Sequence, residues 1–202
     1  MAKNGRVEAG TPLARLLAAR RSVRDYEHTP LGLGALRRLL WAANGAVDGR
    51  RTVPSAGALH ALTVHVAAGR VDGLAPGVYR YHPPSGELRA VCGQDVRSRL
   101  CEAAVEDQPW LASAAAVIAW SAAMRPVIEH YAGQAPAGRG ERYVWLEAGC
   151  GVQNVYLQTA ALGLGGVFVG AFDDAGVARA FAIGAEQQVM GLFAVGVPAR
   201  GQ

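Results

Sequence analysis

The residues best suited to bind a ligand lie near the N-terminus, in the run Arg20-Arg21-Ser22-Val23-Arg24. Alternate residues of an extended segment point to the same side, so Arg20, Ser22 and Arg24 would present two guanidinium groups and a hydroxyl together. Such a set suits a phosphate monoester next to the polar edge of a ring. An exposed basic turn is the other interpretation of this run. Residues 1–51 hold ten of the twenty basic side chains, which favours an anion-binding surface.

The scarcity of lysine argues against several classes of enzyme. Lys3 is the only lysine, whereas P-loop NTPases, protein kinases and pyridoxal-phosphate enzymes each need one in the site. No GxSxG motif is present, which argues against the common serine hydrolase arrangement. The five histidines show no metal-ligand spacing such as HExxH, so we predict no metal site.

Two glycine patterns lack the context of a dinucleotide-binding fingerprint. Gly149-Cys150-Gly151 lies within a predicted helix, and Gly163-Leu164-Gly165 precedes a predicted strand. A Rossmann motif requires a strand, then the glycine turn, then a helix. The sequence therefore does not predict a Rossmann domain.

Length and composition favour one globular domain over residues 1–202. Hydrophobic residues make up 51% of the chain and charged residues 18%, which permits a sizeable core. The modest net charge of +4 and the lack of a reading motif argue against nucleic acid as a partner. No apolar run reaches membrane-spanning length, and the first ten residues do not resemble a signal peptide. Three cysteines without CxxC spacing fit a reducing cytoplasm.

Hydrophobic periodicity and turn residues predict alternating helices and strands. The first helix covers 13–19, with Thr11 as its cap and Pro12 in its first turn. Further helices are predicted over 33–43, 95–105, 142–162 and about 174–183. A flexible loop is predicted over 132–141, and strands over 62–68, 78–81, 88–91, 115–122, 165–172 and 190–197. This order predicts an α/β (α+β) domain, a mixed sheet with helices on both faces.

The predicted helix over 142–162 is the longest, and apolar residues occupy nearly every face of it. One stripe of it consists of Trp145, Ala148, Gly149, Val152, Val155, Tyr156 and Thr159. A helix that is apolar all round is buried. Either it is the central helix of one subunit or a second subunit covers part of it, and the sequence leaves both open.

Five segments, taken in order, resemble the signatures of the FMN-dependent nitroreductase superfamily. The first is the arginine run at 20–24. The others are the loop PSAGALH at 54–60, the hairpin VYRYHP at 78–83, the central helix at 146–157 and the turn at 162–173. The hairpin is most similar to the SagB-type branch, which includes thiazoline and oxazoline oxidases. The resemblance implies a nitroreductase-like three-layer fold, a homodimer and FMN at the interface between subunits.

The resemblance also implies a role for each matched residue. The FMN phosphate would be held by Arg20 and Ser22 and completed by Arg200, and Arg21 is a further residue of the cofactor site. The N1/O2 edge of the flavin ring would meet Arg24, whose positive charge stabilises a reduced flavin. The N5 region would face Val169, Gly170 and Ala171. The flavin of the partner subunit would be reached by Pro54, Ser55, Ala56 and Gly57.

Two departures from the family pattern bear on the reaction. Ala58 stands where many nitroreductases have asparagine, and His130-Tyr131 stands where azoline oxidases have a Lys-Tyr pair assigned to proton removal. Histidine acts as a base near neutral pH, and an ordinary helix end is the other interpretation of this pair.

These features predict ping-pong electron transfer through FMN, from NAD(P)H to a small organic acceptor. Two alternatives stay open. One is a SagB-type azoline oxidase that forms a thiazole or oxazole in a modified peptide, with dioxygen as the acceptor. The other is a non-catalytic flavin-binding scaffold in a peptide-modifying complex.

Overall fold

The computed structural model describes residues 10–200. Its helices are α1 (Pro12–Ala19), α2 (Leu33–Asn44), α3 (Arg97–Ala103), α4 (Trp110–Ser113), α5 (Met124–His130), α6 (Arg139–Ala161) and α7 (Asp174–Phe181). Its strands are β1 (Leu31–Gly32), β2 (Ala46–Val47), β3 (Arg50–Arg51), β4 (Leu62–Ala68), β5 (Val71–Asp72), β6 (Gly77–His82), β7 (Glu87–Cys92), β8 (Ala116–Ala122), β9 (Gly165–Val169) and β10 (Gln188–Gly196).

Six strands form the main sheet, in the order β7-β6-β4-β8-β10-β9, and every neighbouring pair is antiparallel. The crossover through α5 and α6 links β8 to β9, which run parallel to each other but are separated by β10. Within residues 10–200 the parallel pairing is the short β1–β5 pair. The predicted α+β fold is confirmed. The parallel pairing expected of a mixed sheet, however, lies outside the main sheet. The reason is that the last strand, β10, pairs with both β8 and β9 and so separates these two parallel strands.

Apolar clusters cover both faces of the sheet and give the fold three layers. One cluster lies beneath α2 and α6, and the other beneath α3, α4 and α7. Alternation along β8 sends Ile118 and Trp120 into the first cluster and Val117 and Ala119 into the second. The prediction of a buried strand here is confirmed, and its continuous apolar character follows from having both faces covered.

A glycine lets the central helix α6 approach α2 closely. A Cβ atom on Gly151 would lie 2.8 Å from the Ala43 carbonyl oxygen and 2.9 Å from Trp120 Nε1. The Trp120 indole donates to that carbonyl at 3.3 Å, and the Asn154 amide donates to the Ala42 carbonyl at 3.2 Å. Any side chain at 151 would separate the two helices, so Gly151 serves the packing of α6 against α2.

The boundaries of several helices differ from the predictions. α6 begins at Arg139, within the predicted loop over 132–141, because Gly138 at φ 80° turns the chain into the helix. The predicted helix over 95–105 is shorter, and its last carbonyl, on Ala103, accepts the Asp173 N–H at 2.7 Å. The sequence patterns did not indicate the short helix α4, and of α5 they indicated only its end at His130, in the second interpretation of the His130-Tyr131 pair.

His65 is a buried base between the sheet and α7. It is 6% exposed, its Nε2 lies 2.9 Å from the Ser121 hydroxyl oxygen, and its ring centre lies 6.1 Å from that of Phe181. Burial, and then the positive charge of Arg80, lower the pKa of His65 from 6.5 to about 4. The folded protein therefore keeps this imidazole neutral at pH values where the unfolded chain would protonate it.

We expect this histidine to make the fold acid-sensitive. The stability that comes from keeping His65 neutral is complete above pH 6.5 and is lost as the pH falls through about 4. This loss would lower the free energy of unfolding by about 3 kcal/mol. His65→Gln should flatten that dependence, measured by chemical denaturation between pH 7 and pH 4. His28→Gln removes an exposed histidine and should keep the wild-type dependence. An unchanged slope in His65→Gln would contradict the prediction.

Candidate functional site

The arginine run lines a cavity beside the C-terminal half of α6. The Arg20 guanidinium lies 5.0 Å from the centre of the Tyr156 ring, and the Ser22 hydroxyl lies 3.1 Å from the Tyr156 hydroxyl. Arg20, Arg21 and Thr159 border a cavity of about 290 Å³, termed the Arg20 cavity. The predicted grouping of Arg20 and Ser22 on one side is thus present.

Buried contacts fix the backbone of this run. Val23 is buried, its N–H donates to the Gly166 carbonyl at 2.9 Å, and its own carbonyl accepts the Tyr26 hydroxyl at 2.8 Å. Arg24 points elsewhere, because its guanidinium lies 5.3 Å from the Trp110 ring centre. Its contact with the edge of a flavin ring stays a prediction.

The Arg20 cavity fits a phosphate group. Arg20 forms no ion pair with any residue the structure describes, so its donors are available to anionic oxygens. Arg200 lies differently from the expectation: its side chain is 98% exposed, and its guanidinium lies 3.9 Å from the Glu27 carboxylate. Pro198, two residues earlier, borders the cavity, whereas Arg200 does not, and its part in holding a phosphate stays a prediction.

A larger cavity of about 530 Å³ continues along the same face of α6. Its walls include Trp145, Gly149 and Val152 of α6 and Phe168 and Gly170 at the end of β9. We term it the Trp145 cavity. Aromatic side chains and bare backbone form a lining that suits a flat ring system.

The stripe expected to be the buried face of the central helix is divided between the core and a cavity wall. Ala148, Val155 and Thr159 of this stripe are buried, whereas Trp145, Gly149 and Val152 line the Trp145 cavity. The two sets adjoin each other around the helix. Periodicity alone did not separate them, because a cavity wall is as apolar as a core.

The turn after β9 is held by backbone contacts. Val169 is buried and Gly170 borders the Trp145 cavity. The Ala171 carbonyl accepts the Val105 N–H at 3.0 Å and the Gln108 side-chain amide at 3.2 Å. The turn is thus fixed with its glycine towards the cavity.

Tyr156 connects the two cavities, and sequence reasoning did not identify it as a site residue. Its hydroxyl accepts the Phe168 N–H at 2.9 Å and also lies beside the Ser22 hydroxyl. The same ring lies under Arg20. Its place in an apolar helical stripe did not reveal these contacts, which join segments far apart in the chain.

The loop over 54–57 lies with the His130-Tyr131 pair. Gly57 has φ 60°, and a Cβ atom on it would lie 2.8 Å from the Tyr131 hydroxyl and 3.6 Å from His130 Nε2. The Ala56 N–H donates to Glu147 Oε1 at 2.8 Å. Pro54 and Ser55 lead into this turn. The loop over 54–57, His130, Tyr131 and Glu147 are termed the Gly57 cluster.

The Gly57 cluster and the two cavities lie on different sides of α6. Glu147, which is 6% exposed, follows Trp145 by two residues, and at about 100° per residue the two side chains point roughly opposite ways. No residue of the loop over 54–57 borders either cavity. A single chain therefore holds the predicted site residues in two separate groups.

Other kinds of site have no support in the part of the chain that the structure describes. No group of three or more His, Cys, Asp or Glu side chains there is arranged to hold a metal ion. Cys92, Cys101 and Cys150 are free thiols. No helix in residues 10–200 combines the length and apolar character needed to cross a membrane.

Comparison with known proteins identifies the family. Residues 17–197 match the nitroreductase family. The chain belongs to that family. A protein of Methanocaldococcus jannaschii described as a nitroreductase is 40% identical over 164 residues, which are 80% of each chain. The predicted family and the predicted class, an FMN-dependent oxidoreductase, are confirmed; the SagB-type branch stays a prediction.

Solved structures share the fold. One described as a nitroreductase from Ralstonia eutropha has a TM-score of 0.76 and 27% identity, covering 98% of this chain and 88% of that one. Another, from Anabaena variabilis, has a TM-score of 0.77 and 26% identity. The match covers 93% of this chain but only 38% of the Anabaena variabilis chain. A structure from Desulfovibrio desulfuricans in complex with FMN has a TM-score of 0.67 and 21% identity, over 94% of this chain and 88% of that one.

We expect Glu147 to hold the loop of the Gly57 cluster. Glu147→Ala would leave the Ala56 N–H without its acceptor, at a cost of about 1–3 kcal/mol in the free energy of unfolding, and would speed hydrogen exchange at Ala56. Glu147→Gln keeps a carbonyl oxygen that can accept the Ala56 N–H, so its free energy of unfolding should fall by less. Glu141→Ala, which removes an exposed carboxylate of the same helix, should change little. Equal losses in the two alanine variants would show that the bond does not hold the loop.

Proposed function

We propose that this protein is a homodimeric FMN-dependent oxidoreductase that carries electrons from NAD(P)H to a small organic acceptor. The observation that carries the proposal is the pair of cavities along one face of α6, linked by the hydrogen bond from the Phe168 N–H to Tyr156. A cationic end for a phosphate and an aromatic end for a flat ring match the two ends of FMN. Membership of the nitroreductase family supports the same cofactor, and one relative of this fold is an FMN complex.

The residues of the chain would bind and orient the cofactor. When bound, FMN supplies the redox chemistry, taking a hydride equivalent from one substrate and passing electrons to the next in ping-pong order. Arg20 and Ser22 would hold the phosphate through charge-assisted hydrogen bonds. Gly170 would let the backbone approach the ring, while Trp145 and Phe168 would exclude water from it.

The dimer is supported by the division of the site into two groups. The family resemblance assigns the loop over 54–57 to a flavin site, yet this loop borders neither cavity of its own chain. A second copy would bring the Gly57 cluster to the Trp145 cavity. Exposed apolar side chains on α6, Trp145 at 43% and Leu146 at 61%, offer a surface for that copy.

Azoline oxidation is a second candidate, favoured by the contact of Tyr131 with Gly57. The reaction removes a proton together with a hydride, so a base within reach lowers its barrier. The His130 ring centre lies 4.7 Å from that of Tyr131, and the imidazole could accept the proton. NAD(P)H oxidation ranks first because histidine stands in place of the lysine of the Lys-Tyr pair.

The purified protein should release FMN, not FAD, on denaturation, and light scattering should give the mass of a dimer. Arg20→Ala should weaken FMN binding roughly ten- to a hundredfold, which corresponds to the loss of one charge-assisted hydrogen bond. Fluorescence titration of the apoprotein measures the affinity. Arg38→Ala, an exposed position of α2, should bind like the wild type. Unchanged affinity in Arg20→Ala would place the phosphate elsewhere, and protein that does not take up FMN would overturn the cofactor.

The electron donor should be identified by anaerobic loss of flavin absorbance. We expect rapid loss with NADPH or NADH, none with a thiazoline-containing peptide, and no change in His130→Gln or Tyr131→Phe. Loss with the peptide alone, slowed at least tenfold by either substitution, would instead establish the oxidase. Loss with neither, in protein that binds FMN, would favour the non-catalytic scaffold.

A further inference from the structure

The main sheet opens at one end, between β4 and β6. Their pairing stops at His65 opposite Arg80, although β4 begins at Leu62 and β6 continues to His82. The unpaired ends border a cavity of about 350 Å³, termed the Arg51 cavity. The end of the pairing leaves space between the two strands for a small ligand.

The lining of the Arg51 cavity is strongly cationic. Its basic residues are Arg51, Arg80, Arg89, His60 and His82. No acidic side chain lines it. Arg89 lies 3.4 Å from the exposed Glu87, but Arg51 and Arg80 form no ion pair with any residue in 10–200.

Two features of this cavity are unfavourable as they stand. Arg80 lies directly opposite Arg89 across the β6–β7 pair, and like charges in that position destabilise a sheet. Arg51 Nη1 is buried without a hydrogen-bond partner, and a buried unpaired donor also costs stability. An anion in the cavity would offset the repulsion between Arg80 and Arg89, which both line it.

We propose that the Arg51 cavity binds a small phosphate-type oxyanion. A phosphate group carries up to two negative charges and three terminal oxygens, so it accepts hydrogen bonds from several guanidinium groups at once. A single carboxylate offers only two oxygens to the same donors. The cavity shares no lining residue with the Arg20 or Trp145 cavity, so within one chain it is distinct from the two cavities proposed for FMN.

The test uses inorganic phosphate as the probe, with FMN in excess so that a cofactor phosphate occupies the Arg20 cavity. In low-salt buffer, phosphate should raise the unfolding temperature of the wild type. Calorimetry should give a dissociation constant for phosphate that is at least tenfold larger in Arg80→Gln than in the wild type. Without phosphate, Arg80→Gln should unfold at a higher temperature than the wild type, because its repulsion with Arg89 is gone. Arg99→Gln, an exposed position of α3, should respond like the wild type.

The outcomes separate a specific site from a salt effect. The proposal would be overturned if phosphate raised the unfolding temperature of the wild type and of Arg80→Gln equally. It would also be overturned if chloride at matched ionic strength raised the unfolding temperature as much as phosphate does. Binding of NADPH more tightly than NADH, lost in Arg80→Gln, would support the site and identify the 2′-phosphate of a coenzyme as its ligand. Phosphate binding with no difference between the coenzymes would support the site as one for a free phosphate.

Discussion

The close contact between α6 and α2 at Gly151 sets the position of the site residues that α6 carries. With no side chain at 151, the helix lies against the Ala43 carbonyl and the Trp120 indole, and its rotation about its own axis is fixed. That rotation places Tyr156 towards the arginine run. It also places Glu147 towards the loop over 54–57. A helix turned by a quarter would present neither side chain to its partner.

Tyr156 and Glu147 of α6 are used in different ways. Tyr156 combines an aromatic face, which supports the Arg20 guanidinium, with a hydroxyl that reaches the backbone of β9. Glu147 is buried and accepts a backbone N–H, which offsets part of the cost of placing a carboxylate out of water. Both contacts join segments distant in sequence, so they order the site only after the helix has packed.

The sequence predicted the elements whose signals are local. The cap at Thr11 accepts the Ala14 N–H, and the hairpin at β6 and β7 forms around its turn residues. What it did not predict depends on tertiary contacts. The entry of β10 between β8 and β9 determines the sheet order. The cavity face of α6 and its core face are similar in composition, and only packing tells them apart. The contacts of Tyr156 with Arg20 and Phe168, and of Glu147 with Ala56, could not be predicted, because no spacing in the sequence relates these residues to one another.

Dividing a ligand site between two sides of one helix has a thermodynamic consequence. If the flavin site is shared between subunits as proposed, the cofactor binds fully only to the associated protein, so binding and dimerisation stabilise each other by mass action. Trp145 and Leu146 would leave water on association, which adds a hydrophobic contribution from the helix that carries the cavity wall. The apolar residues on nearly every face of α6 then have distinct uses. One face packs the core, another borders the ligand, and the outermost face is available to a second copy.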